Sequence, residues 1–303
     1  MHLKKWTKDI NYYFLRLFIY SLFRPPRTYR RIQAYCRKEN SFYAWRKKKA
    51  ERNLAAVFGD QWSQEEIERV ARRYIEVLSC DEADGYVWFL YPWSLNKKNI
   101  RVEGREHIEK IIREKRGCVI LNAHYGGGLF IFDFIKELGG KAHCLSRPIS
   151  YEFFEGDPVR YGYYRFREYI HTRLHQGLIY TDTGETKNEF LRKLEEGYQI
   201  YVSFDVPPQF VKGPSERIFF LNRYWTFPTG LLELLSRVEA TIVPHFPYLT
   251  EDGTRVHTFH PEFQVKKGGA REALERCAAI FEKFLRERPE NWFFWDDAQV
   301  FWL

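Results

Sequence analysis

One histidine, His124, stands where a side chain could carry out acid–base chemistry. It closely follows the apolar run 118–121, whose length and β-branched residues predict a buried central strand. Gly126, Gly127 and Gly128 come next and predict an open turn before a short apolar helix over 129–138. Ligands of α/β proteins bind beyond the carboxyl ends of the strands, and histidine exchanges protons near neutral pH. The stretch therefore indicates catalysis at His124, with a phosphate-binding turn or a histidine satisfied in a core loop as alternatives.

The elements that must position His124 are predicted from the spacing of apolar residues. Before residue 100 the chain is predicted to be helical, with one helix over 47–58 and another over 64–79 that a capping box of Ser63 and Glu66 opens. Beyond it, the predicted strands cover 100–102, 118–121, 142–145, 199–204 and 240–243, and the predicted helices cover 105–115, 129–138, 189–196, 230–238 and 272–287. This order predicts an α/β fold, an α/β/α sandwich with a mostly parallel mixed sheet and a helical N-terminal extension. We expect a helical region over 1–99 and an α/β domain over 100–303.

Composition narrows the classes of partner. The chain has 303 residues, a formal net charge of +8 and 18% aromatic residues. This charge permits nucleic acid, anionic lipid or an acidic carrier protein as partner. The five cysteines are scattered without the spacing of a zinc site or a disulfide framework, which indicates a reducing compartment and no metal. The glycine turn lacks the Gly-x-Gly-x-x-Gly spacing and no Walker motif is present, so neither nucleotide-binding fingerprint applies.

The segment 10–23 predicts contact with a membrane surface. It is strongly apolar and aromatic, but its fourteen residues fall short of the roughly 20 that a spanning helix needs. Lysines precede it and arginines follow it, which is typical of an interfacial anchor on anionic lipid. The alternative is an ordinary amphipathic helix packed on the domain. Its aromatic residues lie within the apolar run rather than between basic residues, so nucleic-acid binding is not expected.

Several short motifs, in matching order over most of the chain, resemble the late acyltransferases of lipid A biosynthesis, within the lysophospholipid acyltransferase superfamily. The motif Asn122-Ala123-His124-Tyr125-Gly126-Gly127 is similar to the family's His-x-Gly catalytic turn. The other similar stretches are 53–58, 146–148, 203–205, 218–220, 227–230, 243–246, 252–253 and 288–292.

The resemblance implies an O-acyltransferase with a glycerolipid acyltransferase-like fold. Such an enzyme transfers a fatty acyl group from an acyl-carrier-protein or coenzyme A thioester to a lipid or glycolipid hydroxyl, with no cofactor or metal. His124 would be the general base that takes the proton from the hydroxyl. The amides of the glycine turn would stabilise the oxyanion that forms on the thioester carbonyl. The candidate substrate-binding residues are Arg147, Tyr125, Arg165 and Thr229.

The resemblance also implies where the protein acts and with what. We expect a bacterial protein at the cytoplasmic face of the inner membrane, held peripherally or by its N-terminal segment. Its partners would be a membrane lipid acceptor and an acyl-carrier-protein or acyl-CoA donor. A monomer is expected.

One position departs from the family pattern. The family's histidine is followed, after four intervening residues, by an acid that orients the imidazole, and here that position is Leu129. Asp133, about one helical turn further on, and Asp205, at the end of another predicted strand, are the candidate replacements. If neither replaces the acid, the alternative function is a catalytically impaired, acyltransferase-like lipid-binding or accessory protein.

A second departure lies near the C-terminus. Family members tend to carry basic residues after the tryptophan of the 288–292 motif, whereas this chain has Asp296 and Asp297. We expect these two acids to lie in a solvated turn. The change leaves the identity of the acceptor open.

Overall fold

A mostly parallel sheet of eight strands lies at the centre of the computed structural model, which describes residues 2–38, 42–174, 177–181 and 183–302. Its strands are β1 (Ile100–Glu103), β2 (Cys118–Asn122), β3 (Ala142–Ser146), β4 (Leu178–Tyr180), β5 (Gln199–Ser203), β8 (Thr241–Leu249), β9 (Arg255–Phe259) and β10 (Phe263–Gln264). A separate hairpin consists of β6 (Ser215–Phe220) and β7 (Arg223–Pro228). The order in the large sheet is β1-β9-β8-β2-β5-β3-β4, with β10 beside β8.

The central strands of the sheet run parallel. Strand β2 pairs in parallel with β5 and β8, and β3 pairs in parallel with β5 and β4. Strands β9 and β10 are antiparallel to β8, and β1 is parallel to β9. All five residues of β2 are buried, as a central strand requires. The prediction of a mostly parallel mixed sheet is confirmed.

Helices cover both faces of the sheet. They are α1 (His2–Ile10), α2 (Leu17–Ser21), α3 (Arg27–Cys36), α4 (Ala44–Phe58), α5 (Gln64–Leu90), α6 (Trp93–Asn96), α7 (Arg105–Arg113), α8 (Ile131–Glu137), α9 (Pro158–Leu174), α10 (Thr186–Glu195), α11 (Gly230–Arg237) and α12 (Ala270–Glu287). A π-helical turn, Asn11–Arg16, joins α1 to α2. Alternate residues of β2 enter two apolar clusters, with Val119 and Leu121 in one and Cys118 and Ile120 in the other. This two-sided packing is that of the predicted sandwich.

Helix α5 connects the N-terminal helices to the sheet. It begins at the predicted capping box, where the Ser63 hydroxyl accepts from the Glu66 amide and the Glu66 carboxylate accepts from the Ser63 amide. It ends at Leu90, well beyond the predicted end at residue 79, and buries its polar run 81–84. That run stays helical because its carboxylates have partners, among them Arg255 for Asp84. Buried residues from before and after residue 99 belong to one apolar cluster.

The first helices present an apolar face to solvent. Tyr12, Tyr13 and Leu17 are buried against the rest of the protein. The opposite side exposes six large apolar residues, which we call the N-terminal apolar face: Ile10, Phe14, Leu15, Phe18, Ile19 and Leu22. Within the described part of the chain, no helix combines the length and apolar character needed to cross a membrane.

Candidate active site

The register of two neighbouring strands brings His124 and Asp205 together. In the parallel pair of β2 and β5, Asn122 lies opposite Ser203. His124 and Asp205 each lie two residues beyond this pair, so both emerge at the same level of the sheet edge. The Phe204 amide donates to the Asn122 carbonyl at 2.9 Å and keeps the two chains together past the strand ends. The carboxyl ends of parallel strands are where α/β proteins place ligands.

Asp205 holds both the backbone and the ring of His124. Its Oδ1 lies 2.8 Å from His124 Nδ1, and the His124 amide donates to Oδ1 at 2.8 Å and to Oδ2 at 2.9 Å. Because a carboxylate only accepts, Nδ1 carries the hydrogen in this contact and the neutral ring has its lone pair at Nε2. The Asp205 side chain is fully buried, whereas 39% of the His124 side chain is exposed. The pair therefore has the arrangement of an oriented general base.

Trp292 completes the surroundings of this carboxylate. Its Nε1 donates to Asp205 Oδ2 at 2.7 Å, and its side chain is fully buried. The segment around it runs alongside the histidine, since the Phe293 amide donates to the His124 carbonyl at 2.9 Å. The Phe294 ring packs edge-on to the imidazole, with 4.8 Å between centroids. The 288–292 motif is recognisable in the sequence, but nothing local in it assigns Trp292 to the site.

The glycine turn uses its three amides differently. The Gly126 amide donates to the Asn291 carbonyl at 2.7 Å, so it is occupied and cannot be the predicted oxyanion donor. The amides of Gly127 and Gly128 have no hydrogen-bond partner among the residues that the structure describes. Gly126 and Gly127 have φ values of +68° and +80°, a left-handed conformation that favours glycine. The turn therefore offers two free amides close in sequence to His124.

Asp133, the other candidate acid, has different surroundings. It lies in α8, where its carboxylate accepts a hydrogen bond from Trp88 Nε1 at 2.5 Å, and burial raises its pKa to about 6. Of the two candidate acids, Asp205 is therefore the one whose carboxylate contacts the His124 ring. Leu129 is buried in an apolar cluster, where a charged side chain would be costly.

A comparison with protein families agrees with the motifs. The model of the bacterial lipid A biosynthesis acyltransferases matches residues 2–137 and 164–296, which is most of the chain. The chain belongs to this family. Membership supports a transferase that moves an acyl group to a lipid acceptor. No curated protein matches the chain significantly.

The matched segments of this lipid A acyltransferase family member include His124, Asp205 and Trp292, but not Arg147. Arg147 follows β3, on the far side of β5 from His124, and its side chain is exposed. Its guanidinium lies 5.7 Å from the Phe153 ring centroid and 5.9 Å from that of Phe210. The exposed side chain of Arg147 thus lies at the carboxyl ends of the parallel strands, the edge of the sheet where His124 and Asp205 also lie.

The other three candidate substrate-binding residues have partners within the protein. The Tyr125 side chain is buried, and its hydroxyl lies 3.0 Å and 2.8 Å from the carbonyls of Phe284 and Arg288, at the end of α12. Thr229 is buried at the start of α11, and its hydroxyl donates to Glu233 at 3.2 Å. Arg165 forms an ion pair with Glu168, three residues along α9, and is half exposed. The placement of Tyr125 and Thr229 corresponds to packing and to a helix start rather than to substrate contact.

The C-terminal acids also differ from expectation. Asp296 is buried, and the prediction of a solvated turn is wrong for it. Arg46 Nε and Nη2 donate to its two oxygens at 2.6 Å and 2.8 Å, and the Tyr74 hydroxyl donates at 2.6 Å. Asp297 lies 3.6 Å from Lys49 with about half of its side chain exposed. Asp296 therefore fastens the C-terminal segment, which carries Trp292, to helices α4 and α5.

Among the described residues, no group of three His, Cys, Asp or Glu side chains is placed to hold a metal ion.

Proposed function

We propose that this protein transfers a fatty acyl group from an acyl-carrier-protein or acyl-CoA thioester to a hydroxyl of a lipid or glycolipid, with His124 as general base. The observation that carries the proposal is the 2.8 Å contact between His124 Nδ1 and Asp205 Oδ1. It supports an enzyme over an accessory protein, because it provides the orienting carboxylate that Leu129 does not.

The proposed reaction needs one proton carrier. His124 Nε2 takes the proton of the acceptor hydroxyl as its oxygen attacks the thioester carbonyl carbon. Asp205 keeps the hydrogen on Nδ1 and stabilises the imidazolium that forms. When the tetrahedral intermediate collapses, the carbon–sulfur bond breaks and the thiolate takes the proton from Nε2. The products are an ester and a free thiol.

The negative charge on the carbonyl oxygen also needs donors. Gly127 and Gly128 have amides without a partner among the described residues, and we assign them to this oxyanion. Backbone donors fixed in a turn do not have to reorient during the reaction, which is the source of their effect.

We further propose that the enzyme lies peripherally on the cytoplasmic face of the bacterial inner membrane through its N-terminal apolar face. Exposed Lys8 and Arg24, before and after this face, favour anionic headgroups. Replacing half-exposed Leu15 with Glu is expected to weaken binding to phosphatidylglycerol-containing vesicles about tenfold in a sedimentation assay. Asn11→Glu, on an exposed polar residue of the same helical stretch, is the matched control. Equal binding by the two variants would contradict this location.

The function is tested by acyl transfer with purified protein, radiolabelled acyl-carrier-protein and acyl-CoA donors, and lipid acceptors that include lipid A precursors. His124→Ala is expected to lower kcat by roughly 10³-fold, because a general base contributes about 10²–10⁴. His107→Ala, in helix α7, is the matched control for loss of a histidine. Full activity of the His124 variant would rule out the proposed base. No turnover by the unsubstituted protein with any donor, together with measurable lipid binding, would support the accessory protein instead.

A further inference from the structure

Arg255 is a buried arginine whose side chain contacts the glycine turn. It opens strand β9, and only 1% of it is exposed. Its Nη1 donates to the Gly126 carbonyl at 2.5 Å. Its Nη2 lies 2.6 Å from Asp84 Oδ2 in helix α5, as an ion pair rather than an aligned hydrogen bond. The guanidinium thus links a helix to the catalytic turn.

Asp84 is itself held from the N-terminal helices. The Tyr29 hydroxyl, in α3, donates to Asp84 Oδ1 at 2.6 Å, and the Tyr29 ring lies 5.2 Å from the Arg255 guanidinium carbon. Taking two charges into the interior is costly, and apolar side chains would fill the same space at lower cost. The ion pair therefore adds little stability. The two terminal nitrogens of the planar Arg255 guanidinium instead fix the positions of the Gly126 carbonyl and the Asp84 carboxylate.

The peptide between Gly126 and Gly127 is the group that Arg255 fixes. The carbonyl of Gly126 and the amide of Gly127 belong to one planar trans peptide, so they point in opposite directions. A donor that fixes the carbonyl therefore fixes the amide, directed away from the guanidinium. A charged donor at the carbonyl also polarises the peptide and strengthens its N–H as a donor. The Gly127 amide is one of the two amides left without a partner in the described structure.

We propose that Arg255, held by Asp84, is a positioning residue that orients and polarises the Gly127 amide as an oxyanion donor. The inference rests on the proposed acyl transfer and adds to it the origin of the donor geometry. Arg255 itself touches no reacting atom. Its contribution is made through one peptide plane, so it acts on the transition state rather than on substrate binding.

The test compares the buried Arg255 with the partly buried Arg73. In the double variant Asp84→Asn/Arg255→Met both charges are removed, so no unpaired charge remains to unfold the protein. Arg73→Met is the matched control, because Arg73 also pairs with a carboxylate, Glu76, and donates to a backbone carbonyl, that of Thr250, at 2.7 Å. We expect kcat to fall about 10- to 100-fold in the double variant with KM within about twofold, since loss of a whole oxyanion donor costs roughly 10²–10³. The control is expected to keep its kcat.

A second readout does not depend on activity. In protein labelled with ¹³C-carbonyl and ¹⁵N glycine, the Gly126 carbonyl resonance is expected to move in the double variant and to stay unchanged in Arg73→Met. An unchanged kcat with a moved resonance would overturn the inference and leave the acyltransferase standing. Equal losses of kcat in both arginine variants would reduce Arg255 to a stabilising residue and overturn it as well. No turnover by the unsubstituted protein would instead overturn the proposed function and this inference together.

Discussion

Replacing Asp205 with Asn is expected to abolish the orientation of His124. The new side-chain amide can turn its NH₂ group either toward His124 or toward Trp292. With the NH₂ group toward His124 Nδ1, the ring must present its lone pair there and carry its hydrogen on Nε2, so it cannot accept a proton. With the NH₂ group toward Trp292, two N–H donors face each other across what is now a 2.7 Å hydrogen bond. The Asp205 carboxylate accepts hydrogen bonds from three N–H groups: the His124 amide, His124 Nδ1 and Trp292 Nε1. An asparagine side chain cannot accept from all three in either orientation.

The expected loss of activity is large and the loss of stability is smaller. Inverting the tautomer of a triad histidine lowers kcat about 10⁴-fold, which corresponds to about 5 kcal/mol in the activation free energy. One buried N–H left without its acceptor lowers the free energy of unfolding by about 1–3 kcal/mol. We therefore expect the Asp205→Asn variant to fold. Its kcat is expected to be lower by roughly 10³- to 10⁴-fold.

The assay measures initial rates of acyl transfer, with urea unfolding of the same preparations. Asp133→Asn is the control, because Asp133 is the other candidate acid from the sequence and is partly buried. Its kcat is expected to stay within about threefold of the unsubstituted value. If Asp205→Asn kept its kcat within tenfold, or if Asp133→Asn lost as much, the assignment of the orienting acid would be refuted.

Three further predictions follow from buried polar contacts. Trp292→Phe removes one hydrogen bond from Asp205, and kcat is expected to fall about tenfold in the same assay, because bonds to charged groups are worth roughly 1.5–3 kcal/mol; an unchanged kcat would contradict this. Arg46→Met leaves Asp296 buried and unpaired, so urea unfolding should show a loss of about 3–5 kcal/mol; a loss below 1 kcal/mol would contradict the pairing. Burial lowers the pKa of His257 to about 3, against about 6.5 when unfolded, so its contribution is complete above pH 6.5 and is lost as the pH falls toward 3. The stability advantage of the unsubstituted protein over His257→Gln should therefore shrink by about 2.3 kcal/mol between pH 6.5 and 4.5, and a constant difference would refute it.

The sequence predicts the sheet well where local pattern decides the structure. The apolar β-branched run before His124 and the strand before Asp205 are visible without any partner, and both strands end where predicted to within a residue. Because both residues follow strands of a mostly parallel sheet, Asp205 could be named as a candidate acid. Choosing it over Asp133 required the strand order, which no local pattern contains.

Long-range polar partners explain three features that the sequence does not predict. The helix predicted over 64–79 continues to Leu90, and its polar run 81–84 is buried because distant side chains such as Arg255 satisfy it. Asp296 resembles a solvated residue until Arg46 is brought next to it. Trp292 reaches Asp205 because the C-terminal segment folds back along the glycine turn. In each case the side chain's environment is set by a residue far away in the chain.

The tautomer of His124, measured by long-range ¹H–¹⁵N correlation NMR of the histidine rings, shows most directly whether Asp205 prepares His124 as the base. The contact with Asp205 Oδ1 predicts that neutral His124 carries its hydrogen on Nδ1 and leaves Nε2 free, and that Asp205→Asn disturbs this state while Asp133→Asn does not. A hydrogen on Nε2 in the unsubstituted protein, or the same spectrum in both variants, would contradict the proposal that Asp205 prepares His124 as the base.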